Sequence, residues 1–109
     1  MANVYKVLGQ SIPAATTNTT LYTVPSATSA VCSTLTICNQ GATSTNVRVA
    51  IRPAGATLAT SQYIVYDPQI SPNDTLFFTL GISLETTDVV TIYAGTATVS
   101  FSLFGSEIS

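Results

Sequence analysis

The chain has 109 residues, enough for one domain and one core. Only 7% of it is charged, Lys6, Arg48 and Arg52 against Asp67, Asp74, Glu85, Asp88 and Glu107, where a soluble domain carries about 25%. A net charge of −2 leaves no basic footprint for nucleic acid or an anionic membrane surface, and the absence of histidine removes the usual general base and the commonest transition-metal ligand.

A hydrophobic share of 46% supplies a core and separates the chain from disordered sequences. Thr and Ser account for 31 residues, and with Val, Ile, Tyr and Phe they favour pleated strands. Short alternating runs between turn residues predict strands throughout. The first is Val4 to Leu8, followed by a polar connection from Gly9 to Thr19. Thr20 to Val24 is a short second strand stopped by Pro25. The third, Val31 to Cys38, places Val31, Leu35 and Ile37 on one face and Cys32, Thr34, Thr36 and Cys38 on the other. Asn39 to Thr45 reads as a loop.

The clearest strand is Asn46 to Arg52, with Val47, Val49 and Ile51 inward and Arg48, Ala50 and Arg52 outward. Pro53-Ala-Gly-Ala56 ends it, and Gln62 to Asp67 is a fifth strand expected to be covered on both sides. Pro68 to Asp74 reads as a connection, after which Leu76, Phe78 and Leu80 share a face in Thr75 to Leu80 and Phe77 lies between Thr75 and Thr79. Val89 to Ala94 and Thr96 to Phe104 complete the set, with a tight hairpin expected at Gly95-Thr96. No amphipathic helix with caps and no fixed-period repeat is evident. The expected fold is all-β: residues 1–109 as a single antiparallel β-sandwich of about eight strands, jelly-roll or immunoglobulin-like, with a small barrel as the other closure.

Along an extended strand Cys32 and Cys38 would lie about 20 Å apart, beyond the roughly 7 Å limit for a disulfide. Their spacing is not that of a CxxC metal or redox motif, so free thiols are expected, with an intermolecular bridge as the alternative. Nothing near the start reads as a secretory signal, and synthesis in a cytoplasm is expected. Asp67, Asp74, Glu85 and Asp88 fall at predicted strand ends or turns, where Asx-type capping explains the three aspartates without a metal or a catalytic pair. No catalytic residue, cofactor, metal site or small-molecule substrate is expected, and the chain reads as a non-enzyme.

A sandwich so poor in charge must display hydroxyl-bearing and apolar side chains, a surface with little desolvation cost when a partner covers it. The candidate partner-contacting residues are Phe77, Arg48, Arg52 and Tyr63. Phe77 is a candidate anchor, with packing under a loop as the alternative. Arg48 and Arg52 either pair with carboxylates on a partner or keep the sheet soluble.

Several stretches carry a resemblance: Tyr5-Lys-Val-Leu-Gly-Gln10, Leu21-Tyr-Thr-Val-Pro25, Thr36-Ile-Cys-Asn39, Arg52-Pro-Ala-Gly55, Ile92-Tyr-Ala94, Val99-Ser-Phe101 and Phe104-Gly-Ser-Glu107. Together they resemble small virion structural proteins of tailed bacteriophages, notably cyanophages. The resemblance implies a protein made in the host cytoplasm and incorporated into the virion. Its first implied role is a capsid cement, or decoration, protein that contacts the major capsid protein and copies of itself. A tail, baseplate or fibre module for host attachment is the alternative. A carbohydrate-binding module is a third reading, from another class, although the usual Trp platform is missing. The motifs mark strands and turns, and no functional residue carries over with them.

Overall fold

Alternating β-branched and aromatic residues give each strand one face to bury, and two sheets bury those faces against each other. The computed structural model describes residues 3–109, apart from the side chain of Leu80. The strands are β1 (Asn3–Ser11), β2 (Thr19–Thr23), β3 (Ser29–Asn39), β4 (Thr45–Arg52), β5 (Tyr63–Ile70), β6 (Thr75–Leu84), β7 (Val89–Ala94) and β8 (Val99–Ile108). They form two four-stranded antiparallel sheets, ordered β1-β8-β3-β6 and β2-β7-β4-β5. The all-β sandwich expected from the pattern is the observed fold. Among its connections only β4 to β5 stays within one sheet; the others cross, which is jelly-roll rather than immunoglobulin connectivity. Several crossings bend at left-handed residues: Thr16, Ala27, Asn73 and Thr87 have φ of 52°, 53°, 58° and 70°.

Between the sheets lie Leu35 and Ile37 of β3, Val47 and Val49 of β4, Val90 and Ile92 of β7, and Val99, Phe101 and Leu103 of β8, all fully buried. A polar knot closes one end. Asn39, fully buried, donates from Nδ2 to the carbonyls of Thr43 and Ile70 at 2.8 and 3.1 Å. Its Oδ1 accepts from the Gly41 amide and the Thr98 hydroxyl at 2.9 and 3.1 Å. At the other end the Tyr22 hydroxyl donates to Glu107 at 2.5 Å, and Lys6 Nζ lies 2.8 Å from the same carboxylate.

Four local expectations are corrected. In β3 the register shifts between Cys32 and Thr34, so Cys32 is buried and Val31 is exposed. A bulge adds one residue and reverses the alternation on its far side. β5 continues through Pro68 to Ile70, because at a sheet edge the missing amide costs no ladder hydrogen bond. The same edge position leaves Ile64 and Tyr66 exposed, so β5 is not covered on both sides. No hairpin forms at Gly95: β7 and β8 belong to different sheets, and the Gly95 amide donates to Asn46 O at 2.9 Å. Leu76 and Phe78 pack against the core as their shared face requires, whereas the placement of Leu80 on it lies outside the described side chains.

Candidate functional site

The two sheets present outer faces of opposite character. On the β1-β8-β3-β6 sheet, the register aligns Tyr5, Ser106 and Val31 in one row and Val7, Phe104, Thr34 and Thr79 in another. Further rows hold Gln10, Ser102, Thr36 and Phe77, then Ser100, Cys38 and Thr75. None of these side chains is charged. Tyr5 is 81% exposed and Phe77 74%, an unusual state for aromatic side chains that bury well.

An open groove of about 570 Å³ lies on this face, lined by Tyr5, Lys6 and Val7 of β1, Phe104 of β8 and Val31 and Ser33 of β3. It forms where β1 shifts register between Val7 and Gly9 and β3 bulges at Ser33. Gly105 makes that closeness possible, because a Cβ there would stand 2.1 Å from Val31 O.

The β2-β7-β4-β5 sheet keeps its charges for itself. The Arg48 guanidinium stacks between Tyr66 and Tyr93, 4.6 and 4.5 Å from their ring centres. Its Nε and Nη2 donate to the two oxygens of Asp67 at 2.6 and 3.0 Å, and Asn46 Nδ2 adds a third bond at 2.9 Å. Arg48 and then Asn46 hold the Asp67 carboxyl below the usual carboxylate range. Asp67 sits at a left-handed φ of 59° inside the irregular part of β5, which turns its carboxylate toward Arg48. Arg52 donates to Ala56 O at 2.7 Å and Gly55 O at 3.0 Å, which ties down the β4–β5 connection with its 3₁₀ turns, Pro53–Gly55 and Thr60–Gln62. Ala50, expected to face outward beside the arginines, is fully buried. Tyr63 meets Tyr66 edge-on at 4.9 Å.

The structure therefore divides the candidates. Arg48, Arg52 and Tyr63 gather on one face in contact with their own chain, while Phe77 stands on the opposite face. Asp67 takes up Arg48 rather than capping a turn. Asp74 and Asp88 do cap turns, accepting from the Thr75 amide at 2.8 Å and from the Ala54 and Glu85 amides at 2.8 and 2.9 Å.

Sequence reasoning missed Tyr5, Val7 and Val31 as a surface patch and Tyr66 and Tyr93 as the sleeve around Arg48. Phe104 among outward serines was the visible trace of the patch.

The thiols of Cys32 and Cys38 are free and lie on opposite sides of β3. Burial pushes Cys32 up to about 11, so it is protonated and unreactive at neutral pH. Lys6, then Tyr22, hold Glu107 below the usual carboxylate range, and burial followed by the Glu107 contact raises Tyr22. Among the described residues no group of three or more His, Cys, Asp or Glu is placed to hold a metal ion, and no helix is long and apolar enough to cross a membrane. No protein-family model matches the chain, and no curated protein matches it.

Proposed function

We propose that this chain is a non-enzymatic virion structural protein of a tailed bacteriophage, most specifically a capsid cement protein that lays its β1-β8-β3-β6 face on the major capsid protein. The observation that carries the reading is that face: an uncharged sheet surface with Tyr5 and Phe77 standing out from it and a groove between its strands. Covering it removes apolar area from water at roughly 25 cal/mol per Å², and the ion that lines the groove, Lys6, is already paired with Glu107 at 2.8 Å. The molecule measures 45 × 27 Å across its two longer axes, room for the roughly 800 Å² per partner of a standard interface. Many copies, each touching more than one capsid subunit, gain from effective concentration and hold the shell against internal pressure. Jelly rolls occur in viral capsid and lectin domains, an analogy of fold alone.

Quantitative proteomics of purified virions tests the proposal. Hundreds of copies per particle, with heat resistance of the head lost when the protein is removed and restored by adding it back, support it. A handful of copies confined to the tail overturns the cement role in favour of a tail, baseplate or fibre module. For that second reading the relevant observation is the Tyr63–Tyr66 pair beside Asn46 and Asp67, an aromatic and hydrogen-bonding surface of the kind sugars use. Glycan-array binding by the isolated protein, abolished by Tyr66→Ser, is its signature.

A further inference from the structure

Each sheet has two edge strands: β1 and β6 in one, β2 and β5 in the other. An open edge presents unpaired amides and carbonyls to any strand that approaches, and proteins block this with prolines, bulges, short strands or free charges, lysine above all. Three of these edges carry such a block. β5 has Pro68 and the left-handed Asp67. β2 is five residues long and shifts register between Thr20 and Tyr22. β6 is interrupted between Thr79 and Ile82, where it has two residues against one of β3.

β1 differs. Asn3 to Val7 runs without proline or register shift, and every residue in it is exposed. Its one charge, Lys6, is bound to Glu107 at 2.8 Å.

We infer that Asn3 to Val7 pairs antiparallel with the same segment of a second copy, joining two β1-β8-β3-β6 sheets into one eight-stranded sheet. Charge selects both the occupant and the register. Centred on Tyr5, the pairing sets Tyr5 against the partner's Tyr5, a favourable aromatic cross-strand pair, and each Lys6 against the partner's Val4. A register centred on Lys6 would oppose like charges. Val4 pairs with Glu107 of its own β8, so the partner's Lys6 lies one strand beyond Val4 in the row that already holds this carboxylate.

The twofold axis of such a pair stands perpendicular to the sheet. Both uncharged faces then point the same way, doubling the surface offered to a third body. The seam is about 17 Å long, shorter than a standard interface requires, so the dimer forms at high protein concentration and dissociates on dilution. This inference concerns the isolated protein and stands apart from the virion reading; either can fail alone.

Sedimentation of the purified chain from micromolar to millimolar concentration tests it, with Val4→Glu and Val4→Lys. In the proposed register a glutamate faces the partner's Lys6 and strengthens association by about tenfold, while a lysine weakens it by about as much. Within one molecule the signs reverse, because position 4 neighbours Glu107: Val4→Glu melts lower than wild type and Val4→Lys does not. A general folding defect cannot produce these opposed shifts. Tyr5→Cys supplies a second measurement, forming a disulfide-linked dimer under mild oxidation while Lys6→Cys and wild type form no covalent dimer. A wild-type chain that remains monomeric at millimolar concentration overturns the inference. So does a dimer indifferent to both substitutions at position 4, or equal cross-linking through positions 5 and 6.

Discussion

The two outer faces are built from similar strands and end in opposite states. On the β2-β7-β4-β5 side, Arg48 lies between two tyrosine rings and is gripped by Asp67, and Arg52 fastens the loop that follows its own strand. On the β1-β8-β3-β6 side the outward rows hold uncharged residues, Thr, Ser, Asn, Gln, Cys, Val, Ile, Tyr and Phe. Low overall charge is thus not spread evenly. Arg48, Arg52 and Asp67 complete one face, while the other leaves aromatic side chains in water, with the Lys6–Glu107 pair at its β1 edge. What distinguishes an aromatic residue here is whether the chain itself already covers it.

The largest effect on this contrast is expected at Gly105. A side chain there meets Val31 O and the Cys32 backbone, so Gly105→Val forces β8 and β3 apart, destabilising the fold by about 3 kcal/mol in urea unfolding and reshaping the groove. Tyr66→Ser comes next. Tyr66 is 57% exposed, yet it stacks on Arg48 and meets Tyr63, so its loss costs about 1 kcal/mol.

A smaller, pH-dependent effect follows from the carboxylates. Asp67 and Glu107 titrate lower in the folded chain than in the unfolded one. Their contribution is therefore complete above the unfolded values of about 4 and is lost as pH falls through the folded values. Thermal melts of Asp67→Asn should lie below wild type at neutral pH and converge with it in strong acid. The smallest change in stability belongs to Phe77→Ser, within about 0.5 kcal/mol, because Phe77 touches little of its own chain. If Phe77→Ser instead destabilises as much as Tyr66→Ser, the two faces do not differ as described.

Much of this architecture was legible in the residues, down to β7, whose bounds Val89 and Ala94 match the expected run. Alternation placed Phe77 outward and Leu35, Ile37 and Phe101 inward, because a two-residue period survives wherever the ladder is regular. It failed at Cys32, where a bulge adds a residue that no local pattern announces, and at Pro68, where tolerance depends on the strand being an edge. The hairpin at Gly95 failed for the same non-local reason: a turn-like dipeptide does not say which sheet receives the next strand. The groove was illegible because Tyr5, Phe104 and Val31 come together only through the order β1-β8-β3. Arg48 and Asp67 meet only across the β4–β5 ladder, on a bulge that turns the aspartate back.

Strand β8 lies between β1 and β3, so the segment made latest among these strands is the one that fills the middle of its sheet. While a ribosome is still extending the chain, β1 and β3 have no neighbour to bridge them, and the smooth face cannot exist until residues 99–108 emerge. Until then the edges of β1 and β3 that β8 will cover stay open, so the unfinished sheet exposes unpaired backbone at the place where the finished one is continuous.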